Sequence, residues 1–368
     1  MPYLLVLVRF LLPLTLPLWI KGVVAMLLLV ASQYHLWCRL SSGSVFSPEF
    51  PRPVVILFTW AFGAILFLAI LLLLLDAVTL STMLVQRGHV AVPDGVRYAI
   101  AAFASLLAAV GVHTAVRVPP LKDVTIDIRG LPPQFDGYRM LQLTDLHISR
   151  LFPAAWTRKV VERSNALGVD LIVVTGDFID GTLTARRADV EPLRDLRAPD
   201  GVYAIPGNHE YFFGYREWMR HLAGMGMHML LNGHEILARG QGWMVLAGVT
   251  DVSAVGTSNT GPDLTAALAG APAGVSILLL DHQPRMAREA AARGVSLQLS
   301  GHTHGGMIRG LDRLVARGNG GFVSGSYDVD GMTLYVNNGT ALWPGFALRL
   351  GRSPELTRIT LRRCKPAI

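Results

Sequence analysis

A chain of 368 residues is long for one typical domain and suits two units. Its composition is 51% hydrophobic and 16% charged, unevenly spread: residues 1–118 hold seven Lys/Arg and three Asp/Glu, residues 119–368 hold 26 and 23, and the net charge of +7 divides as +4 and +3. No basic stripe interleaved with aromatics accompanies that excess, which argues against a nucleic-acid partner, and Cys38 and Cys364 make no disulfide framework.

Crossing a bilayer takes about 20 mostly apolar residues. Val54–Leu75 offers 22 without a charge, Tyr98–Val116 offers 19 and Gly22–Cys38 offers 17. Tyr3–Ile20 is weaker, because Arg9, Pro13 and Pro17 interrupt it and only Lys21 separates it from the next segment. Residues 1–118 thus read as an all-α, multi-pass membrane anchor of three to four helices. The first segment lacks the charged start and small-residue cleavage site of a signal peptide. Cations flank the loops evenly (Arg39 and Arg52, Arg87 and Arg97, Arg117 and Lys122), so they leave the membrane side of the remainder undetermined. Asp76 and His113 lie in or beside apolar segments and are given no role.

After Val118-Pro-Pro120 the pattern changes. Val124–Ile128 alternates as a strand, and Tyr138–Leu143 is a second, ending at Thr144-Asp145-Leu146-His147. A helix is expected over 154–167. Leu171–Val174 is a continuous apolar run, as in a buried parallel strand, and ends at Thr175-Gly176-Asp177. Residues 185–197 read as helix, and Val202–Ile205 as a strand ending at Gly207-Asn208-His209-Glu210. A helix over 215–223 follows, then strands Trp243–Val249 and Val275–Leu280, the latter ending at Asp281-His282. A helix near 286–292 leads to Val295–Ser300 and Gly301-His302-Thr303-His304-Gly305-Gly306. Strands alternating with helices point to an α/β fold with a largely parallel sheet. Met332–Val336 and Leu356–Leu361 read as late strands of a second sheet.

Metal-ligand residue types gather just after the C-terminal ends of these strands, where open α/β sheets bind ligands. The set is Asp145, His147, Asp177, Asn208, His209, His282, His302 and His304. Carboxylate, amide and imidazole suit Mn, Fe, Zn or similar ions. The set is too rich for one tetrahedral zinc and suits two ions about 3.5–4 Å apart that share a carboxylate. A single Asp-x-His or Gly-Asp is weak, since Asp and Gly are ordinary turn residues; Gly207-Asn-His-Glu210 is more specific, Gly301-His-Thr-His-Gly-Gly306 more so again, and five pieces in series at strand ends are stronger than any one. His221, His228 and His234 lack such a context and read as structural. Two such ions lower the pKa of a bound water towards about 7 and so make hydroxide available at neutral pH.

Asp145-Leu-His147, Gly176-Asp177, Gly207-Asn-His-Glu210, His282 and Gly301-His-Thr-His304 resemble, in order, the signature of the calcineurin-like metallophosphoesterases. The match extends over roughly residues 120–362 and is nearest the bacterial membrane-anchored, phosphodiesterase-like members. The resemblance implies a four-layer α/β/β/α sandwich over residues 119–368. It implies one metal held by Asp145, His147, Asp177 and His304, and another held by Asp177, Asn208, His282 and His302. Asp177 would bridge, and His209 would act on the phosphoryl group without binding metal. Asp281 and Met307 depart from residues common among relatives, with an altered substrate pocket as the expectation. The function implied is hydrolysis of a phosphodiester or pyrophosphate by a membrane-anchored, dinuclear-metal enzyme of the cell membrane. The substrate is a phosphate ester; a lipid-linked one and helices that serve as anchor alone are both open readings. The alternative is a transporter or receptor-like membrane protein with a phosphoesterase-fold sensor domain.

Overall fold

The computed structural model describes residues 2–364. The chain folds as two compact units, a helical one, Met1–Ala115 with Pro344–Leu350, and an α/β one, Val116–Trp343 with Gly351–Ile368.

In the helical unit, two described helices, Arg52–Gln86 and Asp94–Val116, are long and apolar enough to cross a membrane. At 1.5 Å per residue the first is about 52 Å long, beyond the ~30 Å of a bilayer core. The single span expected over 22–38 is instead two helices, Leu18–Ser32 and Tyr34–Ser42, bent by 53°. Gln33 leaves the helical region there (φ −90°, ψ 19°). Tyr34 and His35, just past the bend, turn their polar tips to the chain: Tyr34 Oη donates to Pro344 O (3.0 Å), and His35 Nε2 lies 2.9 Å from Gly345 O. The N-terminal helical stretch Pro2–Leu11 is short, and residues 12–17, with Pro13 and Pro17, form the turn. Arg9 donates to Asp76 through Nε (2.9 Å), so two charges in apolar sequence neutralise each other. Pro344–Leu350 packs among these helices where Gly63 gives it room: a Cβ at Gly63 would stand 2.7 Å from a Leu348 methyl.

Among the described residues the α/β unit has twelve strands: β1 Leu121–Ile128, β2 Arg139–Leu143, β3 Leu171–Thr175, β4 Val202–Ile205, β5 His228–Met229, β6 Gly233–Arg239, β7 Gly242–Gly248, β8 Ser276–Leu280, β9 Leu297–Ser300, β10 Gly325–Val329, β11 Met332–Val336 and β12 Leu356–Arg363. They form two six-stranded sheets, ordered β1-β12-β2-β3-β4-β5 and β10-β11-β9-β8-β7-β6. β2, β3 and β4 run parallel, as do β7, β8 and β9. Helical connections between parallel strands bring every C-terminal end to one edge of its sheet.

One strand stands elsewhere than expected. Leu356–Leu361 reads as part of a second sheet, but β12 lies in the first, parallel to β1 and antiparallel to β2. Alternation tells which face of a strand is apolar and says nothing of its neighbour; burial of Ile359 and Leu361 between the sheets decides it.

The core lies between the sheets. Met140, Leu171, Val173, Ile205 and Ile359 of the first meet Leu246, Leu278, Leu280, Leu297 and Leu299 of the second. The opposite faces are apolar too. Val245, Ala247 and Leu279 pack on Ala287 and Ala290 of the helix Ala287–Ala292, and Leu141, Leu143, Ile172 and Val174 are fully buried on the other side. The helix Ala154–Ala166 buries Trp156, Val160 and Val161. Both sheets are therefore covered on both faces, giving α/β/β/α layers.

Candidate active site

β2, β3 and β4 of the first sheet lead into Asp145 and His147, Asp177, and Asn208 and His209; β8 and β9 of the second lead into His282 and into His302 and His304. All eight side chains converge on one cleft, seven buried and His302 half-buried. The turns that carry them are stitched together by main chain. Asp145 N donates to Gly176 O (2.9 Å), His147 N to Asp177 O (3.0 Å) and Gly301 N to His282 O (2.9 Å).

Asp145, His147, Asp177, His302 and His304 all have φ between 42° and 67°. Left-handed backbone is uncommon outside glycine and costs on the order of 1–3 kcal/mol per residue, so it persists only where the surroundings over-determine it. Five such residues in one cleft make it the candidate functional site. Gly207 serves the same end, because a Cβ there would lie 2.3 Å from Asp177 Oδ1.

The donor atoms fall into linked groups: Asp145, His147 and His304; Asp177, His282 and His302; and, between them, His147, Asp177 and His209. Within each group the atoms lie within 4.8 Å of one another. His147 Nε2 and His304 Nε2 are 3.3 Å apart, and His304 Nε2 is 3.4 Å from Asp145 Oδ1. Asp177 Oδ2 is 3.3 Å from His282 Nε2, 3.8 Å from His147 Nε2 and 3.9 Å from His209 Nε2. Asn208 Oδ1 lies 2.8 Å from His302 Nδ1 and 3.1 Å from His282 Nε2. His282 Nδ1 is 2.7 Å from Thr175 O, and a carbonyl can only accept, so Nδ1 carries its proton and Nε2 faces the cleft.

The cleft calls for positive charge. Asp145 and Asp177 are fully buried, and among the described residues no Lys or Arg pairs with either. Burial pushes Asp145 above the usual carboxylate range. Burial acts on Asp177 in the same sense, but His282 and His209 outweigh it and hold Asp177 well below that range. Burial opposes charge on His282, and the Asp177 carboxylate overrides it and drives the imidazole up. His302, by contrast, falls to about 3 through burial and the His282 charge. Imidazole lone pairs and carboxylates facing one another across 3.3–3.9 Å fit divalent cations.

Three residues that order the cleft escape the sequence reading. Asp180 lies three positions after Asp177, fully buried. Its Oδ1 makes a short contact with His209 Nδ1, and its Oδ2 is 3.2 Å from His147 Nδ1. Burial pushes Asp180 up, but His147 and His209 prevail and keep it ionised. Burial likewise disfavours charge on His209, while Asp177 and Asp180 raise it to about 9. Glu210 stands within the Gly-Asn-His-Glu run, where it has no evident task. In the fold its carboxyl accepts from Gly207 N (2.6 Å), Asp177 N (3.1 Å) and Phe178 N (2.8 Å), pinning the turns after β3 and β4. Thr144 Oγ1 donates to Asp145 Oδ2 (2.8 Å) and fixes that carboxylate. Asp281 points away from any pocket role: it is buried, accepts from Gln298 Nε2 (3.2 Å), and is pushed to about 8 by burial and by Asp251.

A two-sheet sandwich with oxygen and imidazole ligands gathered at its strand ends defines a metal-dependent phosphoesterase architecture. Residues 138–306 match the family model described as calcineurin-like phosphoesterase. The uncharacterized metallophosphoesterase YkuE of Bacillus subtilis (strain 168) is 31% identical over 244 residues, covering 65% of this chain and 84% of that protein. This chain belongs to the calcineurin-like phosphoesterase family. It is also similar to proteins called transmembrane protein with metallophosphoesterase domain: 33% identical over 268 residues to that of Danio rerio, and 33% over 270 residues to that of Bos taurus. Each match covers 70% of this chain, and the chain spans 61% and 60% of those two proteins.

Proposed function

We propose that this chain is a membrane-anchored phosphoesterase that uses two divalent ions to hydrolyse a phosphodiester or pyrophosphate. Asp145, His147, Asp177 and His304 would hold one ion. Asp177, Asn208, His282 and His302 would hold the other, with Asp177 common to both. The observation that carries this reading is the place of Asp177: its Oδ2 lies within 3.3–3.9 Å of imidazole nitrogens from both sides of the cleft. When bound, such ions supply Lewis acidity and a water nucleophile with its pKa brought down towards about 7.

The chain's own residues supply the rest. Glu210 and Thr144 hold Asp177 and Asp145 in place. The Asp180 carboxylate accepts the hydrogen bond of His209 Nδ1–H, which leaves Nε2 as the atom that carries or gives up a proton. A histidine held cationic beside Asp177 and Asp180 is suited to protonate a leaving oxygen or to neutralise charge on the phosphoryl group. Chain continuity with the apolar helix Asp94–Val116 supports attachment of the catalytic unit to a membrane, with the other helices completing a multi-pass anchor. That attachment favours a lipid-linked phosphate ester as substrate, since such esters are confined to the bilayer surface.

The test is hydrolysis of bis(p-nitrophenyl) phosphate by the full-length protein with added Mn²⁺, then with excess chelator. Metal-dependent cleavage that chelation abolishes is the expected result. Equal rates with and without metal would overturn the reading.

A further inference from the structure

A second binding feature lies within the helical unit. A cavity of about 480 Å³ is walled by apolar side chains, among them Leu4, Leu5, Val8, Leu66, Ile70 and Leu73, with Arg9 as its one charged member. Leu4, Val8, Ile70 and Leu73 are exposed along it, so it opens towards the hydrocarbon that surrounds a spanning helix. A second cavity, about 380 Å³, shares Arg9 and has a mixed lining, with Asp76, His89 and Arg97 beside apolar side chains such as Leu75, Met83 and Val90. Both volumes fall in the range of small-molecule sites, roughly 300–1,000 Å³.

The charges of the polar cavity do not cancel. Arg9 is engaged with Asp76 through Nε at 2.9 Å. Asp94, close to Arg97 and Lys21, accepts from Thr15 N (2.9 Å) and Thr15 Oγ1 (2.6 Å). Of the Lys, Arg, Asp and Glu residues that line the second cavity, Arg9 and Arg97 stand against Asp76, leaving one cation in excess. Arg97 Nε is buried and, among the described residues, has no hydrogen-bond partner. A buried guanidinium nitrogen without an acceptor is costly, and an anion is what satisfies it.

We infer that these two cavities, which have Arg9 as a common wall, bind one anionic phospholipid, its phosphate at Arg97 and one acyl chain along Leu66–Leu73. The ligand class follows from the shape of the pair. An apolar slot ending at a guanidinium matches an amphiphile with a negative head, and a zwitterionic head offers no net charge to the surplus cation. A free phosphate would fill only the smaller cavity. The site involves none of the residues of the catalytic cleft.

The test uses the full-length protein in mild detergent, read by native mass spectrometry and by thermal unfolding. The lipids are dioleoyl phosphatidylglycerol and dioleoyl phosphatidylcholine, with glycerol phosphate as the head alone. Phosphatidylglycerol should be retained and should raise the midpoint, with weak or no effect from the other two. Arg97→Gln should weaken phosphatidylglycerol binding by about tenfold or more, the scale of a charged hydrogen bond. Leu73→Trp, which narrows the slot and keeps every charge, should weaken it as well. Equal retention of the two lipids, an unchanged preference in Arg97→Gln, or stabilisation by glycerol phosphate alone would each overturn the assignment. If Arg97→Gln fails to fold, the Leu73→Trp result decides.

Discussion

Asp177 is the residue on which both halves of the cleft depend. Asp177→Asn removes the negative charge between His282 and His209 and is expected to lower turnover by more than ~100-fold, beyond the 10–100-fold typical of a lost outer partner. His282→Ala or His304→Ala, each touching one group only, should cost less; steady-state kinetics of the three variants at saturating Mn²⁺ give the ranking. His209→Ala should lower turnover by about 10²–10⁴-fold with metal content intact. If His209 protonates the leaving oxygen, the loss shrinks for nitrophenyl esters, which need little protonation, and stays large for alkyl esters. Asp180→Asn should follow the same leaving-group pattern in weaker form, because Asp180 acts through the His209 ring. The eight cleft residues were legible in the sequence because their types are rare and recur at one kind of place. Asp180 and Glu210 were not, since the groups they serve, the His209 ring for one and the Asp177 and Phe178 N–H groups for the other, arrive from another strand.

At the scale of elements, the cleft exists because two parallel strand sets end side by side. Leu299 in β9 is fully buried between the sheets, two residues before Gly301 and three before His302. Leu299→Ala is expected to cost about 2–5 kcal/mol, read as a lowered urea midpoint with an unchanged slope. Removing the chain from Leu356 onward withdraws β12, which leaves β1 unpaired and turns β2 into an edge strand; such a truncation should be insoluble or protease-sensitive beside the intact protein. Apolar runs made the interior strands legible, and the core is built from them. β6 and β10 were not legible, because they lie at the sheet edge and are mostly exposed or half-buried, with sequences Gly-His-Glu-Ile-Leu-Ala-Arg and Gly-Ser-Tyr-Asp-Val. The placement of β12 beside β1 was also invisible, as it pairs residues some 235 positions apart and no local pattern encodes that.

For the whole molecule, sequence composition separates an apolar half from a polar one, and the fold divides into its two units near the same point. The return of Pro344–Leu350 to the helices was not legible, because a short loop segment carries no periodicity; it rests on Gly63 leaving room for Leu348 and on Tyr34 and His35 bonding main-chain carbonyls. An apolar multi-pass anchor should keep the full-length protein in the pellet after alkaline carbonate washing, with its first residues uncleaved by N-terminal sequencing. Release into the wash would remove the membrane attachment from the account. The central claim, two ions sharing Asp177, is tested most directly by elemental analysis of the purified full-length protein alongside Asp177→Asn. The account predicts close to two divalent metal equivalents per chain after metal-replete expression, with Asp177→Asn retaining fewer. Two equivalents retained by Asp177→Asn, or near zero in the parent protein, would contradict it.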